Sequence, residues 1–270
     1  MKMSKFKLLL ATIAGLMGCT GALAGSIQVN GNLVDDWKIT PTTWLTSKAH
    51  VQSTIEDQTG TGAYYLNPGW GGQAYDAEAL YALIEGNTLF IALATGHNPE
   101  TSNNPAANSY GAGDFAIDFG KDGRYEVGIN IKPGWDTFGT AGGVYGNPTW
   151  ALGLWDSSGH YTQSAADPSH PTSMTAGTSL GNAELVISTG KTGFGTKPSD
   201  THYFYEIGLS LDLLRKAGWD GDAFNIHWTE NCANDSIMVD PPSAVPEPGT
   251  LALLPLGLIG LAALRRRKSA

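Results

Sequence analysis

Two cysteines in 270 residues are too few for a disulfide framework, and their positions tighten that limit. Cys19 lies before a small-x-small cleavage pattern, so Cys232 is alone once a leader is removed. An internal disulfide and a tetrahedral cysteine zinc site are thereby excluded. Basic residues are also scarce, 16 against 25 acidic ones, for a formal net charge of −9. No apolar run reaches the roughly 20 residues that a stable membrane span requires. There is no His-Glu-x-x-His zinc helix, no internal repeat, and one short segment with helical spacing.

What the chain does have is concentrated first at its ends. Lys2, Lys5 and Lys7 precede an apolar core at 8–17, and Ala22-Leu23-Ala24 stands before Gly25. This pattern predicts a signal peptide at 1–24, cut by signal peptidase between Ala24 and Gly25. Leu16-Met17-Gly18-Cys19 also reads as a rough lipoprotein box with Cys19 as the lipidated residue. At the other end Val245, Pro246, Glu247 and Pro248 precede an apolar stretch at 250–264, then Arg265, Arg266, Arg267 and Lys268. The prolines hold the segment extended and readable by an enzyme. The apolar stretch predicts a helix that enters a bilayer, with the basic end held on the cytoplasmic side. Its shortness, and Pro255 within it, suit temporary retention better than permanent anchoring. This order of parts resembles the PEP-CTERM sorting signal of exported Gram-negative proteins. The resemblance implies an exosortase as processing partner, transient insertion in the inner membrane, and delivery to the cell surface or extracellular matrix. An ordinary C-terminal anchor is the alternative.

Removing both ends uncovers a far more acidic product. Three lysines leave with the leader, and four basic residues and Glu247 with the tail. Residues 25–246 then keep 9 basic and 24 acidic residues, a net −15. That sign excludes nucleic acid and an anionic membrane surface as ligands, favours solubility, and offers carboxylates to cations.

The roughly 220 residues between the ends suit one large all-β domain at 25–240, an antiparallel, jelly-roll-like β-sandwich. Residues 241–270 would be linker and sorting signal. Short apolar runs separated by glycine-rich turns predict strands at 27–29, 37–39, 79–84, 89–95, 115–119, 125–131, 150–155, 184–188, 203–209, 224–228 and 237–239. Glu85-Gly-Asn87 and Gly120-Lys-Asp-Gly123 read as hairpin turns. Ser210 caps a short helix that Gly218 stops. Residues 94–114 and 157–183 carry few apolar side chains and are expected to be long loops.

Asn30-Gly-Asn-Leu-Val-Asp-Asp-Trp37, Tyr75-Asp-Ala-Glu78 and Leu89-Phe-Ile-Ala-Leu-Ala-Thr95 follow one another in the first third of this domain. Their order resembles the opening of family-nine carbohydrate-binding modules and DOMON-like relatives. The resemblance implies a β-sandwich, sugar or cofactor binding, and a structural calcium ion.

Several residues are candidates for chemistry. Asp114 and Asp118 point to one face of an extended strand, about 13 Å apart. Asp118, Asp122 in the Gly120–Gly123 turn, and Asp235 are candidate calcium ligands, since calcium takes carboxylate and carbonyl oxygens. The simpler reading is that Asp122-Gly123 and Asn234-Asp235 are plain turns and Asp118 a strand-end residue. His227 and Cys232 place an imidazole near a thiol, but a buried cysteine anchoring a turn is the simpler reading. Of the eight tryptophans, Trp70, Trp135 and Trp155 are candidate ligand-stacking residues beside loops. Trp44, Trp150 and Trp219 have similar surroundings, and Trp37 and Trp228 are expected in the core.

The PEP-CTERM resemblance implies a setting of exopolysaccharide production, and with the acidic, tryptophan-bearing domain it leads to the expectation of a non-catalytic exported protein of the surface or matrix that associates with exopolysaccharide. A secreted polysaccharide hydrolase and a purely structural surface protein are the other readings. A hydrolase would require two carboxylates ~5–10 Å apart across the scissile bond.

Overall fold

The computed structural model describes residues 26–57, 71–131, 138–154 and 170–241. Both termini, and with them the leader and the sorting tail, lie outside the described residues. Among the described residues eleven strands form two antiparallel sheets packed as a sandwich. The first sheet is ordered β1 (Gln52–Ile55), β2 (Ala77–Glu85), β3 (Thr88–Thr95), β9 (Tyr203–Ser210), β8 (Glu184–Ile187). The second is ordered β11 (Ser236–Val239), β10 (Phe224–Thr229), β4 (Phe115–Phe119), β5 (Tyr125–Ile129), β6 (Gly143–Leu152), β7 (Pro171–Asn182).

The apolar runs of β2, β3 and β9 are continuous because these strands are buried on both faces. Leu80, Ala82, Ile91, Leu93, Tyr205 and Ile207 face the second sheet, where they meet Phe115, Ile117, Val127, Ile226 and Trp228. Tyr81, Leu83, Ala92 and Phe204 face the other way, into a second core with Ile27, Leu33, Trp37 and Trp44. The N-terminal segment therefore covers the outside of the first sheet. It does so without the expected strands at 27–29 and 37–39. Asn32 instead caps a short helix, α1 (Leu33–Asp36), accepting the Asp35 N–H. Irregular chain serves here because the anchor is a side chain, Glu206 of β9. Its carboxylate accepts the Trp37 Nε1–H at 2.7 Å, the Asn30 N–H at 2.9 Å and the Gly31 N–H. The Asn30–Trp37 motif is thus docked on one buried acid, whose pKa burial raises and these bonds pull back.

The turn at Gly86-Asn87, the turn at 120–123 and the helix α2 (Leu211–Lys216) stand where the sequence places them. Ser210 Oγ accepts the Asp212 N–H, and Gly218 follows with φ +105°, a conformation glycine adopts without strain.

Three expectations fail in informative ways. The edge strand β1 has no counterpart among the expected strands, because Ile55 is the one apolar residue in Gln-Ser-Thr-Ile and the strand is placed by its pairing with β2. Residues 171–182, expected as loop, form β7, the longest strand, paired with β6 through four register shifts. Those shifts break the alternation that marks a strand in sequence. β6 itself begins at Gly143, well before 150, and ends at Leu152.

The edge strands β1 and β11 meet along one side of the sandwich. Thr54 Oγ1 donates to the Met238 carbonyl at 2.6 Å, joining the two sheets.

Candidate functional site

Of the three aspartates expected to act together, Asp118 and Asp122 share one turn and Asp235 stands apart. Asp118 lies one residue inside the end of β4, opposite Asn225 near the start of β10, whereas Asp235 sits in the turn beyond the other end of β10. The hairpin turn brings Glu126 to Asp118 and Asp122 instead, with an oxygen from each within 4.8 Å of the others. The bonds are those of a turn. Asp118 accepts the Asp122 and Gly123 N–H groups at 3.1 and 2.8 Å, Asp122 the Arg124 N–H, and Glu126 the Phe119 N–H. Both oxygens of Asp118 and one each of the other two are thereby committed, and the Arg124 Nε stands 3.9 Å from Asp122. Burial raises the Glu126 pKa, and the two aspartates push it the same way. A cross-strand glutamate after a tight turn was the sequence signal for this third member.

Asp114 is likewise structural: it accepts the Ile131 and Met174 N–H groups at 3.0 and 2.9 Å, clamping the end of β5 to β7.

Asp235 belongs to a buried acidic group. Its Oδ2 accepts the Ala77 N–H at 2.6 Å, joining the β10–β11 turn to the start of β2 across the sandwich. Asp76 and Glu230 complete the group, and Glu56 lies at its margin with a pKa raised to about 7 by burial and by Asp235. Sequence reasoning missed Asp76 and Glu230, which lie some 150 residues apart and meet only through the packing of one sheet on the other. Cys232 is buried in the same turn. Its thiol donates to Asn234 Oδ1 at 2.9 Å, and burial, then Glu230, hold it protonated.

His227 points to the outer face of the second sheet, since its neighbours Ile226 and Trp228 are in the core. Tyr125 and His170 pack against its ring. Neither ring nitrogen has a hydrogen-bond partner among the described residues, and burial lowers its pKa to about 3. These rings, with Thr54, Glu56, Ser236 and Met238, line a cavity of about 380 Å³.

Beside it a groove of about 510 Å³ runs over β5 and β6, lined by Arg124, Tyr125, Glu126, Asn147, Trp150 and Leu152 among others. Trp150 lies edge-on to Tyr125, ring centres 6.4 Å apart, and Leu152 is 38 % exposed. Gly128 makes this arrangement possible. A Cβ there would strike Met174 Sδ and come within 2.9 Å of Trp150 Cη2. Of the other tryptophans, Trp37, Trp44 and Trp228 are wholly buried and Trp219 nearly so. Trp70, Trp135 and Trp155 lie outside the described residues.

The run Gly177-Thr-Ser-Leu-Gly181 has the spacing of a nucleophile elbow, but it lies within β7, with Ser179 paired to Tyr145. An elbow needs a sharp strand-to-helix turn. Ser179 is an exposed strand residue.

Residues 244–268 match the model of the PEP-CTERM protein-sorting motif. The chain carries an exosortase address. PEP-CTERM proteins are exported and sorted to the cell surface, and exosortase processing follows from the motif. No curated protein and no solved structure matches the chain; the family match covers the PEP-CTERM tail, and the passenger ahead of it is a β-sandwich of unidentified family. Among the described residues no helix is long and apolar enough to cross a membrane; the apolar stretch at 250–264 lies outside them.

Proposed function

We infer that the mature sandwich, residues 25–240, is a non-catalytic surface or matrix protein that associates with extracellular polysaccharide. The leader at 1–24 and the tail at 241–270 serve its export and sorting. The observation that carries this reading is the groove over β5 and β6. Tyr125, Trp150 and Leu152 offer apolar surface for the C–H face of a sugar ring, while Arg124, Glu126 and Asn147 offer partners for hydroxyls. The resemblance of the Asn30–Trp37 segment to family-nine carbohydrate-binding modules points to the same ligand class. The net charge of −15 favours neutral glycans over uronate-rich ones.

One observation favours the hydrolase reading: Glu56, with a pKa near 7, lines the neighbouring cavity in the range of a general acid. Glycoside hydrolysis needs a second carboxylate across the bond, and the described residues lining that cavity include none. Binding is therefore the better supported reading.

A glycan screen of the chain and its Trp150→Ala variant tests it. The expected result is binding to a neutral polysaccharide that falls at least about tenfold in the variant, a loss of roughly 1.4 kcal/mol or more. Equal binding by both proteins would place the ligand elsewhere, and release of reducing ends would favour hydrolysis.

A further inference from the structure

Four aromatic rings form a row that leads from the groove over β5 and β6 to the neighbouring cavity. Ring centres of Trp150 and Tyr125 stand 6.4 Å apart, those of Tyr125 and His227 5.7 Å, and those of His227 and His170 5.9 Å. Tyr125 lines both spaces, so the two adjoin at this residue. The cavity, about 380 Å³, falls in the range of small-molecule pockets, about 300–1,000 Å³. It lies at the seam of the two sheets, where Thr54 of β1 bonds the Met238 carbonyl of β11.

Three polar atoms of residues lining this cavity are buried and lack a hydrogen-bond partner among the described residues: both ring nitrogens of His227 and Oε2 of Glu56. His227 is 3 % exposed, and burial keeps its ring uncharged at neutral pH. A neutral imidazole offers one N–H and one bare nitrogen, so the wall calls for an acceptor and a donor side by side. Left unpaired, each such group costs about 1–3 kcal/mol. A charged ligand group suits the pocket poorly, because the desolvation that keeps His227 neutral would fall equally on an ammonium or a carboxylate beside it. The rest of the wall is less polar: Met238, 46 % exposed, and the rings of Tyr125 and His170 supply carbon surface.

We propose that this cavity receives the acetamido group of a 2-acetamido sugar whose ring rests in the groove; the proposal builds on the polysaccharide reading above and names its ligand class. The amide carbonyl accepts the imidazole N–H, and the amide N–H donates to Oε2 of Glu56. A neighbouring hydroxyl donates to the second ring nitrogen. The methyl group packs on Met238 and Tyr125, where a plain hydroxyl would leave that carbon surface without a partner. Trp150 carries the C–H face of the sugar ring. The group is uncharged, in keeping with the neutral glycans that a domain of net −15 favours.

The test is titration calorimetry on the full chain, held in a detergent without a sugar headgroup. Its ligands are β-1,4-linked oligomers of N-acetylglucosamine, glucosamine and glucose of equal length, which differ only at carbon 2. The acetylated oligomer binds at least about tenfold tighter than either of the others. His227→Phe, which keeps a ring but removes both nitrogens, brings its affinity down to that of the glucose oligomer, whereas Trp150→Ala weakens both. Equal affinity for the acetylated and glucose oligomers, tightest binding of the amine form, or a preference for the acetylated oligomer retained in H227F overturns the proposal. Binding of none of the three also overturns it, while the screen on neutral polysaccharides still decides the broader reading. Should H227F fail to fold, the ranking of the three oligomers on the unaltered chain decides.

Discussion

Glu206 shows how much one buried side chain decides in this protein. Three N–H groups from residues 30, 31 and 37 converge on its carboxylate, and no regular element is needed to hold the N-terminal cover in place. Glu206→Ala leaves those donors buried and unpaired, and should cost about 3–5 kcal/mol in equilibrium unfolding. Glu206→Gln, which keeps one carbonyl acceptor, should cost less. His227 makes a second prediction at this scale, in pH. Its folded-state pKa, about 3, lies below its ordinary 6.5 because burial disfavours the charged ring. The unfolded chain therefore binds the extra proton, and the His227 contribution to stability is complete above about pH 6.5. It is lost as pH falls toward 3, at about 1.4 kcal/mol per pH unit. Tyr125, His170 and Glu56 surround the ring, so the test is the difference between the unaltered chain and His227→Phe. That difference should grow as pH falls through this window; a difference independent of pH would contradict it. Legibility in sequence follows distance along the chain. Asp118 and Asp122 are readable because a turn is local, and Glu126 nearly so. Asp76 and Glu230 flank strands of different sheets and become neighbours only through the packing of one sheet on the other, which no local pattern announces.

Among the elements, the hairpins and the two-sided strands were readable for a physical reason. β2, β3 and β9 are apolar on both faces, and a tight turn at Gly86-Asn87 or 120–123 fixes the pairing of its strands. β7 hides because it is an edge strand of Thr, Ser and Gly, exposed over much of its length and bulged against β6. The N-terminal segment misleads in the opposite way, with apolar residues that fill a core without joining a sheet. The β4–β5 hairpin depends on Asp118, which accepts two N–H groups of its own turn. Asp118→Ala should lower stability by about 2 kcal/mol, read from the denaturant midpoint at unchanged slope. A loss within a few tenths would mean that the turn holds itself without the carboxylate.

The whole molecule divides its tasks between regions. The tail addresses the chain to an exosortase, and its basic residues mask a domain that carries −15 by itself. The sandwich has one face covered by the N-terminal segment and presents its groove on the other, over β5 and β6. The edges β1 and β11 are stitched between them, close to the buried acids. Polysaccharide association is the central claim, and its direct measurement is a binding isotherm of the chain on the exopolysaccharide of its own host. Saturable binding that weakens at least about tenfold in Trp150→Ala is the predicted result. An isotherm without saturable binding, with calcium present, would contradict the account.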